Sequence, residues 1–260
     1  MTDRQGHNDA VLAQFRLQAA TFTDSGFAAA GLGWIVAELA PSPGDRVLDV
    51  AAGAAHLGRA LAPHVAHVDA LDLTPEMLDQ GRRLAAGLGN VAFVRGDACS
   101  LPYGDGRFDL TVCRLTLHQV ADPAAVVREM VRVTRPAGRV AIVDLAAAGD
   151  PAVAAEANRL ERLRDPSHGR TLTVAEIHEL LAAAGAEVLS TSRHDNPVDV
   201  EDWLTRTATP ATARAEIHTR FAEELAGGPP TGLRPRPGGT LTHEWAMVVA
   251  GVSGPRPARR

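Results

Sequence analysis

A chain of 260 residues that is 45% hydrophobic and 22% charged can bury one substantial α/β core with some appended structure, and it does not require a second domain. Its cysteines, Cys99 and Cys113, lack a C-x-x-C spacing, which argues against a disulfide framework or a metal site and fits a reducing cytoplasm. The net charge of -5 argues against a nucleic-acid surface, and with no leader-like segment or membrane-length apolar run, membrane insertion is not expected.

After a polar tip, Val11 to Phe22 carries apolar positions that suit a helix, and Phe27 to Leu39 predicts another, stopped by Pro41-Ser42-Pro43-Gly44. Residues 1–40 thus form a helical preamble, residues 41–252 the main domain, and residues 253–260 a Pro-Arg tail expected to be disordered. The domain opens on Val47-Leu48-Asp49-Val50, a buried strand, followed by Ala51-Ala52-Gly53-Ala54-Ala55 and a helix from His56. At the carboxyl end of a parallel strand such a loop lets backbone approach a ligand, and Gly53 can take a positive φ. Asp49 would sit at the mouth, where a carboxylate favours a cationic group.

Spacing decides among the ligands that such a turn serves. A phosphate loop requires G-x-x-x-x-G-K-[ST]; Gly53 and Gly58 supply the glycines, but Arg59 and Ala60 stand where the Lys and hydroxyl belong. A dinucleotide fingerprint matches only at its middle glycine. The pattern of S-adenosylmethionine sites, an acid and then G-x-G-x-G, maps onto Asp49, Ala51, Gly53 and Ala55, with Ala at the outer positions. A merely well-packed strand-to-helix turn is the alternative.

Strand two, His67 to Leu73, ends in Asp72, about twenty residues past the first loop, where a carboxylate can accept from both hydroxyls of a ribose. Thr74 suits an N-cap and Pro75 a first helical position, so Asp72 could instead simply favour the helix N-terminus. Strand three, Val91 to Arg95, runs into Gly96-Asp97-Ala98; Asp97 can accept from an adenine amino group while the Ala98 N–H donates to a ring nitrogen, although acids in turns are common. Strand four ends near Arg114, and His118 follows it; a helix spans Pro123 to Thr134, stopped by Pro136-Ala137-Gly138, before strand five, Arg139 to Leu145. Helices over Pro151–Arg164 and Val174–Ala184 flank a polar turn, Asp165-Pro166-Ser167-His168-Gly169-Arg170. Strand six is expected at Ala186–Ser190, a helical stretch at Val200–Leu225, a mobile Pro/Gly-rich segment at 227–239 and the last strand at Glu244–Ala250. This alternation predicts an open, doubly wound parallel sheet with helices on both faces.

Five blocks carry a resemblance: Val47 to Gly53; Asp72-Leu73-Thr74-Pro75-Glu76-Met77-Leu78; Gly96-Asp97-Ala98; Leu101-Pro102-Tyr103 with Phe108-Asp109; and Arg135-Pro136-Ala137-Gly138. In this order the chain resembles class I S-adenosylmethionine-dependent methyltransferases, and within them the small-molecule enzymes of ubiquinone and menaquinone biosynthesis. Ala51, Ala55 and Ala137 depart from the usual glycines, and the first two would narrow the cofactor cleft. The resemblance implies a Rossmann-like α/β fold with a seven-stranded, mostly parallel sheet, its last strand antiparallel, and an N-terminal helical lid. It places S-adenosylmethionine over Ala51 and Gly53, with Asp72 on the ribose, Leu73 and Met77 against adenine, and Asp97 and Ala98 at its edge. Phe15 and Phe22 become lid residues, and Asp49 and Arg114 complete the expected cofactor set. The implied substrate is a small organic molecule. His118 is a candidate base, with a loop histidine bonded to local backbone as the alternative; His168 is a second, with a helix-connecting turn as the alternative. An enzyme of this fold that catalyses cyclisation or rearrangement without methyl transfer is the competing reading.

Overall fold

The computed structural model describes residues 4–253; the expected tail beyond Ser253 lies outside them. Helix α1 (Arg4–Gln18) runs into a 3-10 turn at Ala19–Thr21, and a second such turn, Gly26–Ala29, precedes α2 (Leu32–Leu39). The helix expected from Phe27 is broken because Gly31 adopts φ +74, where an added Cβ would lie 2.9 Å from both Trp245 Cζ3 and Trp34 Nε1. There follow β1 (Arg46–Val50), α3 (His56–Leu61), β2 (His67–Asp72), α4 (Pro75–Leu84), β3 (Val91–Arg95), β4 (Phe108–Arg114), α5 (Pro123–Val133) and β5 (Thr134–Leu145). The chain closes with α6 (Pro151–Arg164), α7 (Val174–Ala183), β6 (Ala186–Asp199), α8 (Val200–Arg206), α9 (Ala211–Leu225) and β7 (Thr240–Val252).

The seven strands lie in the order β3-β2-β1-β4-β5-β7-β6. Neighbours from β3 to β5 pair in parallel, and β7 runs antiparallel to both β5 and β6. This is the predicted doubly wound sheet with an antiparallel last strand. Alternating side chains on its central strands feed two cores: Leu48, Val50, Phe108 and Ile142 on one face, Val47, Val68, Leu110 and Val143 on the other. A third core, around Trp203, Leu204, Ile217 and Phe221, lies apart from both. Strand order reverses between β1 and β4, and at such a switch point the carboxyl ends of the strands diverge and leave a crevice.

The boundaries differ from expectation where backbone rather than apolar pattern decides. Strand β5 begins at Thr134, which pairs with Phe108; after an irregularity the ladder resumes with Leu110 opposite Arg139. Within that irregularity Ala137 has φ 63, and a Cβ on Gly138 would meet Asp109 O at 2.8 Å. Strand β6 reaches Asp199 because it pairs with β7 along its whole length, although its exposed polar residues give no apolar alternation. The helical stretch after it divides at 207–210, where Ala208 takes φ 52 and Pro210 caps α9. In the Pro/Gly-rich segment Thr231 and Leu233 are buried, and Thr231 donates from its N–H to Glu224 Oε2 at 2.7 Å. Among the described residues no helix is long and apolar enough to cross a membrane, and no cluster of His, Cys, Asp and Glu could hold a metal ion.

Candidate active site

One cavity, open to solvent and spanning about 1320 Å³ when the solvent space at its mouth is counted, occupies the switch point. Its walls come from the loop after β1, the ends of β2, β3 and β4, and the N-terminal segment. At the far end Glu161, Arg164, Arg206 and His243 enclose it.

The loop after β1 owes its shape to three left-handed residues in alternation, Ala51 (φ 52), Gly53 (φ 55) and Ala55 (φ 56). These are the positions of the G-x-G-x-G pattern, so the pattern records a backbone requirement, which Ala meets here at a conformational cost. The loop's amides are satisfied internally: Ala52 N–H donates to Leu71 O at 2.9 Å, Ala55 N–H to Ala52 O at 2.8 Å, and Gly53 N–H to Asp72 Oδ2 at 2.7 Å. A carboxylate already on the Gly53 amide repels a phosphate, and Arg59 is turned to Asp24 at 2.8 Å. The cradle therefore suits a phosphate-free nucleoside. An added Cβ on Gly53 would touch only Phe22, at 3.8 Å. Ala51 borders the cavity, but the expectation that Ala55 narrows it is corrected: its methyl is fully buried in the core.

The three acids expected at strand tips do not act as a row. Asp72 and Asp97 line the cavity, whereas Asp49 does not: it is buried behind the loop and accepts from Gly58 N–H at 2.8 Å. A Cβ on Gly58 would come within 3.0 Å of that oxygen, so close helix-to-strand contact, rather than the cleft mouth, sets the position of Asp49. Burial pushes its pKa up to about 7, against the Gly58 N–H and the Arg114 charge. Asp72 accepts from Gly53 and, at 2.8 Å, from Thr74 N–H; burial pushes its pKa up while these N–H groups oppose the shift. Thr74 stands at the N-cap of α4, but its hydroxyl makes no capping bond. Leu73 and Ala98 border the cavity; Met77 is fully buried beneath it and does not.

The N-terminal segment covers this half. Phe15 and Phe22 line the cavity with ring centroids 6.4 Å apart, and Phe22 lies 6.1 Å from the His56 ring. Helix α1 is tethered through Asp97, whose Oδ2 accepts from Arg4 Nη2 at 2.6 Å and Asn8 Nδ2 at 3.3 Å, while its Oδ1 accepts from Cys99 N–H. Arg114 donates to Phe27 O at 3.3 Å and Ala30 O at 3.0 Å and stacks over Trp245, so it ties the N-terminal segment to the sheet while bordering the cavity.

His118 lines the cavity beyond the end of β4, and its Nδ1 is bonded to Asp144 at the end of β5. Asp144 is itself fixed by N–H groups of Thr116 at 3.0 Å and Leu117 at 2.6 Å. Burial disfavours the imidazolium, but the Asp144 carboxylate outweighs it and holds the His118 pKa above its ordinary value. With Nδ1 committed as donor, Nε2 is the nitrogen left to take a proton. His168 lies behind, its ring 5.6 Å from that of His118, bonded to Asn158 Oδ1 at 2.9 Å and outside the cavity wall. Burial pushes its pKa down to about 4.

Sequence reasoning missed Asp144, although an apolar strand ending in an acid is the signal that singled out Asp49 and Asp72. It also missed Glu161, Arg164, Arg206 and His243, which come from three elements, α6, α8 and β7, with no signature that links them.

A methyltransferase domain model matches residues 48–142, from β1 into β5. The uncharacterized methyltransferase YcgJ of Bacillus subtilis is 36% identical over 178 residues, covering 68% of this chain and 70% of that protein. The crystal structure of YcgJ aligns with a TM-score of 0.76 over 86% of this chain and 98% of that one, at 29% identity. The demethylmenaquinone methyltransferase of Clavibacter sepedonicus is 40% identical over 115 residues, so the match spans 44% of this chain and 47% of that protein. The [4+2]-cyclase SpnF shares the fold with a TM-score of 0.65 at 18% identity, a likeness of fold alone. A sheet in this order, with an antiparallel β7, is the Rossmann-like architecture that this chain shares with YcgJ. This chain belongs to the S-adenosylmethionine-dependent methyltransferase family.

Proposed function

We propose that the enzyme moves the methyl group of S-adenosylmethionine to an oxygen or carbon of a small organic acceptor, of the quinone, polyketide or secondary-metabolite kind. The observation that carries this reading is that one cavity joins the Asp72–Gly53 cradle to a histidine oriented by a buried carboxylate. When bound, S-adenosylmethionine supplies a methyl carbon made electrophilic by positive sulfur. Asp72, anchored by two N–H groups, keeps lone pairs for the ribose hydroxyls, and Leu73 and Ala98 offer apolar contact to the base. Asp97 reads the base edge once Arg4 and Asn8 share or release its Oδ2. Phe15 and Phe22 keep water from the cleft. His118 takes the acceptor's proton at Nε2, and Asp144 stabilises the resulting imidazolium. A relative named for demethylmenaquinone supports a ring-bearing acceptor, the free thiols of Cys99 and Cys113 support a cytoplasmic setting, and the net charge of -5 supports a small molecule over nucleic acid.

The test is incubation with methyl-labelled S-adenosylmethionine and a panel of hydroquinones, phenols and polyketide-like enols. Labelled product and an equal amount of S-adenosylhomocysteine are expected. Product that carries no label, formed without S-adenosylhomocysteine, would instead favour rearrangement.

A further inference from the structure

The acceptor end of the cavity holds two cations whose donors are not all used. Arg164, on α6, and Arg206, the last residue of α8, both border it. Each guanidinium lies over an aromatic ring, Arg164 at 4.9 Å from the centroid of Trp203 and Arg206 at 4.1 Å from that of Phe27. Stacking occupies the face of a guanidinium and leaves its edge, where the N–H groups are, to meet a planar anion. On each edge one buried nitrogen has no hydrogen-bond partner, Nε of Arg164 and Nη2 of Arg206. A buried donor left unpaired on a cation is costly, and a ligand that satisfies it gains accordingly.

Two of the neighbouring acids are buried and face Arg164, and Glu161 Oε1 and both His243 ring nitrogens are themselves without a hydrogen-bond partner. Glu161 lies 3.1 Å from Arg164 Nη1 and 3.3 Å from His243 Nε2, so one carboxylate is divided between two cationic or protonatable groups. Asp165 is 3.9 Å from Arg164 and accepts from Ser167 N–H at 2.9 Å, Ser167 Oγ at 2.6 Å and Gln119 Nε2 at 3.3 Å. The acid paired with Arg206, Asp202 at 3.0 Å, has a side chain 57% exposed, so solvent screens it. Burial, and then the charge of Arg164, push the Arg206 pKa down to about 10. Burial likewise lowers His243, and Arg164 and Arg206 add to that shift against the pull of Glu161. Arg164 is therefore matched by buried acids, and Arg206 is the cation at this end whose acid partner lies in solvent.

We infer that the acceptor carries a planar oxyanion, a carboxylate, whose oxygens take the edge N–H groups of Arg206 and so orient the molecule with its reacting atom toward His118. This rests on the reading of the cavity as a methyl-transfer site. It restricts the acceptor class from small organic molecules in general to acids.

The test is titration calorimetry on the full chain saturated with S-adenosylhomocysteine. The probes are matched pairs of acid and primary amide: benzoate and benzamide, cinnamate and cinnamamide, octanoate and octanamide. At least one acid is expected to bind about tenfold or more tighter than its amide, and Arg206→Gln to abolish that preference while S-adenosylhomocysteine still binds. Should Arg206→Gln fail to fold, Arg206→Lys keeps the charge without the planar edge and is expected to reduce the preference. A panel in which no acid outbinds its amide, or a preference that survives these substitutions, overturns the proposal. Wild-type protein that does not bind S-adenosylhomocysteine would defeat the methyl-transfer reading itself. Bound S-adenosylhomocysteine with no acid preference defeats the carboxylate proposal alone.

Discussion

Replacing the left-handed alanines by glycine should separate backbone strain from packing at three sites of nearly equal geometry. Ala51, Ala55 and Ala137 have φ of 52, 56 and 63. An L-residue in this region costs about 1–2 kcal/mol, and glycine removes that cost but adds unfolded-chain entropy of about 0.4–1 kcal/mol. Ala137 is exposed, so its substitution loses no packing and should stabilise by roughly 0.5–1 kcal/mol. Ala55 is fully buried; losing its methyl costs about 0.8 kcal/mol and should bring the net change close to zero. Ala51 is half-buried at the cavity wall and should fall between them. Urea unfolding of the three single variants, with a common slope, gives the order Ala137→Gly above Ala51→Gly above Ala55→Gly. Destabilisation by Ala137→Gly, or a larger gain at Ala55 than at Ala137, would refute the reasoning.

Asp72→Ala should weaken S-adenosylhomocysteine binding by about 1.5–3 kcal/mol, roughly ten- to a hundredfold, read by calorimetry; unchanged affinity removes its assigned role. His118→Ala should lower kcat by roughly 10²–10⁴ with nearly unchanged cofactor affinity. Because the neutral ring is the base and Asp144 raises its pKa above 6.5, the wild-type rate should climb with pH through a midpoint above that value, and Asp144→Asn should move the midpoint down and slow turnover. His168 has the opposite sign: the unfolded chain takes up its proton near pH 6.5 and the native state only near 4, so stability is lost as pH falls through that window, by about 3 kcal/mol at most. His168→Gln should flatten this part of the stability–pH curve, and a curve unchanged by the substitution would contradict the burial of a neutral ring.

The sheet was legible because its central strands are apolar runs closed by an acid or a turn, and such runs need no knowledge of partners. Asp72, Asp97 and the loop glycine could be read as neighbours because strand order brings the ends of successive parallel strands together. The direction of Asp49 could not, since it depends on how closely Gly58 lets α3 approach β1, a contact that spacing does not encode. Strand β6 was underestimated because its polar side chains are exposed while its backbone pairs along the full length of β7. The acceptor end was illegible for a related reason. Arg164, Arg206 and His243 meet only because α6, α8 and β7 converge, and in a chain that carries 26 arginines and no lysine neither of these two stands out in the sequence.

The central claim is tested most directly by a crystal structure with S-adenosylhomocysteine bound. The ribose hydroxyls should rest on Asp72, the adenine beside Leu73 and Ala98, and the sulfur should face the part of the cavity that His118 lines. A nucleoside seated elsewhere, or a sulfur turned away from His118 with Asp72 untouched, would contradict the account.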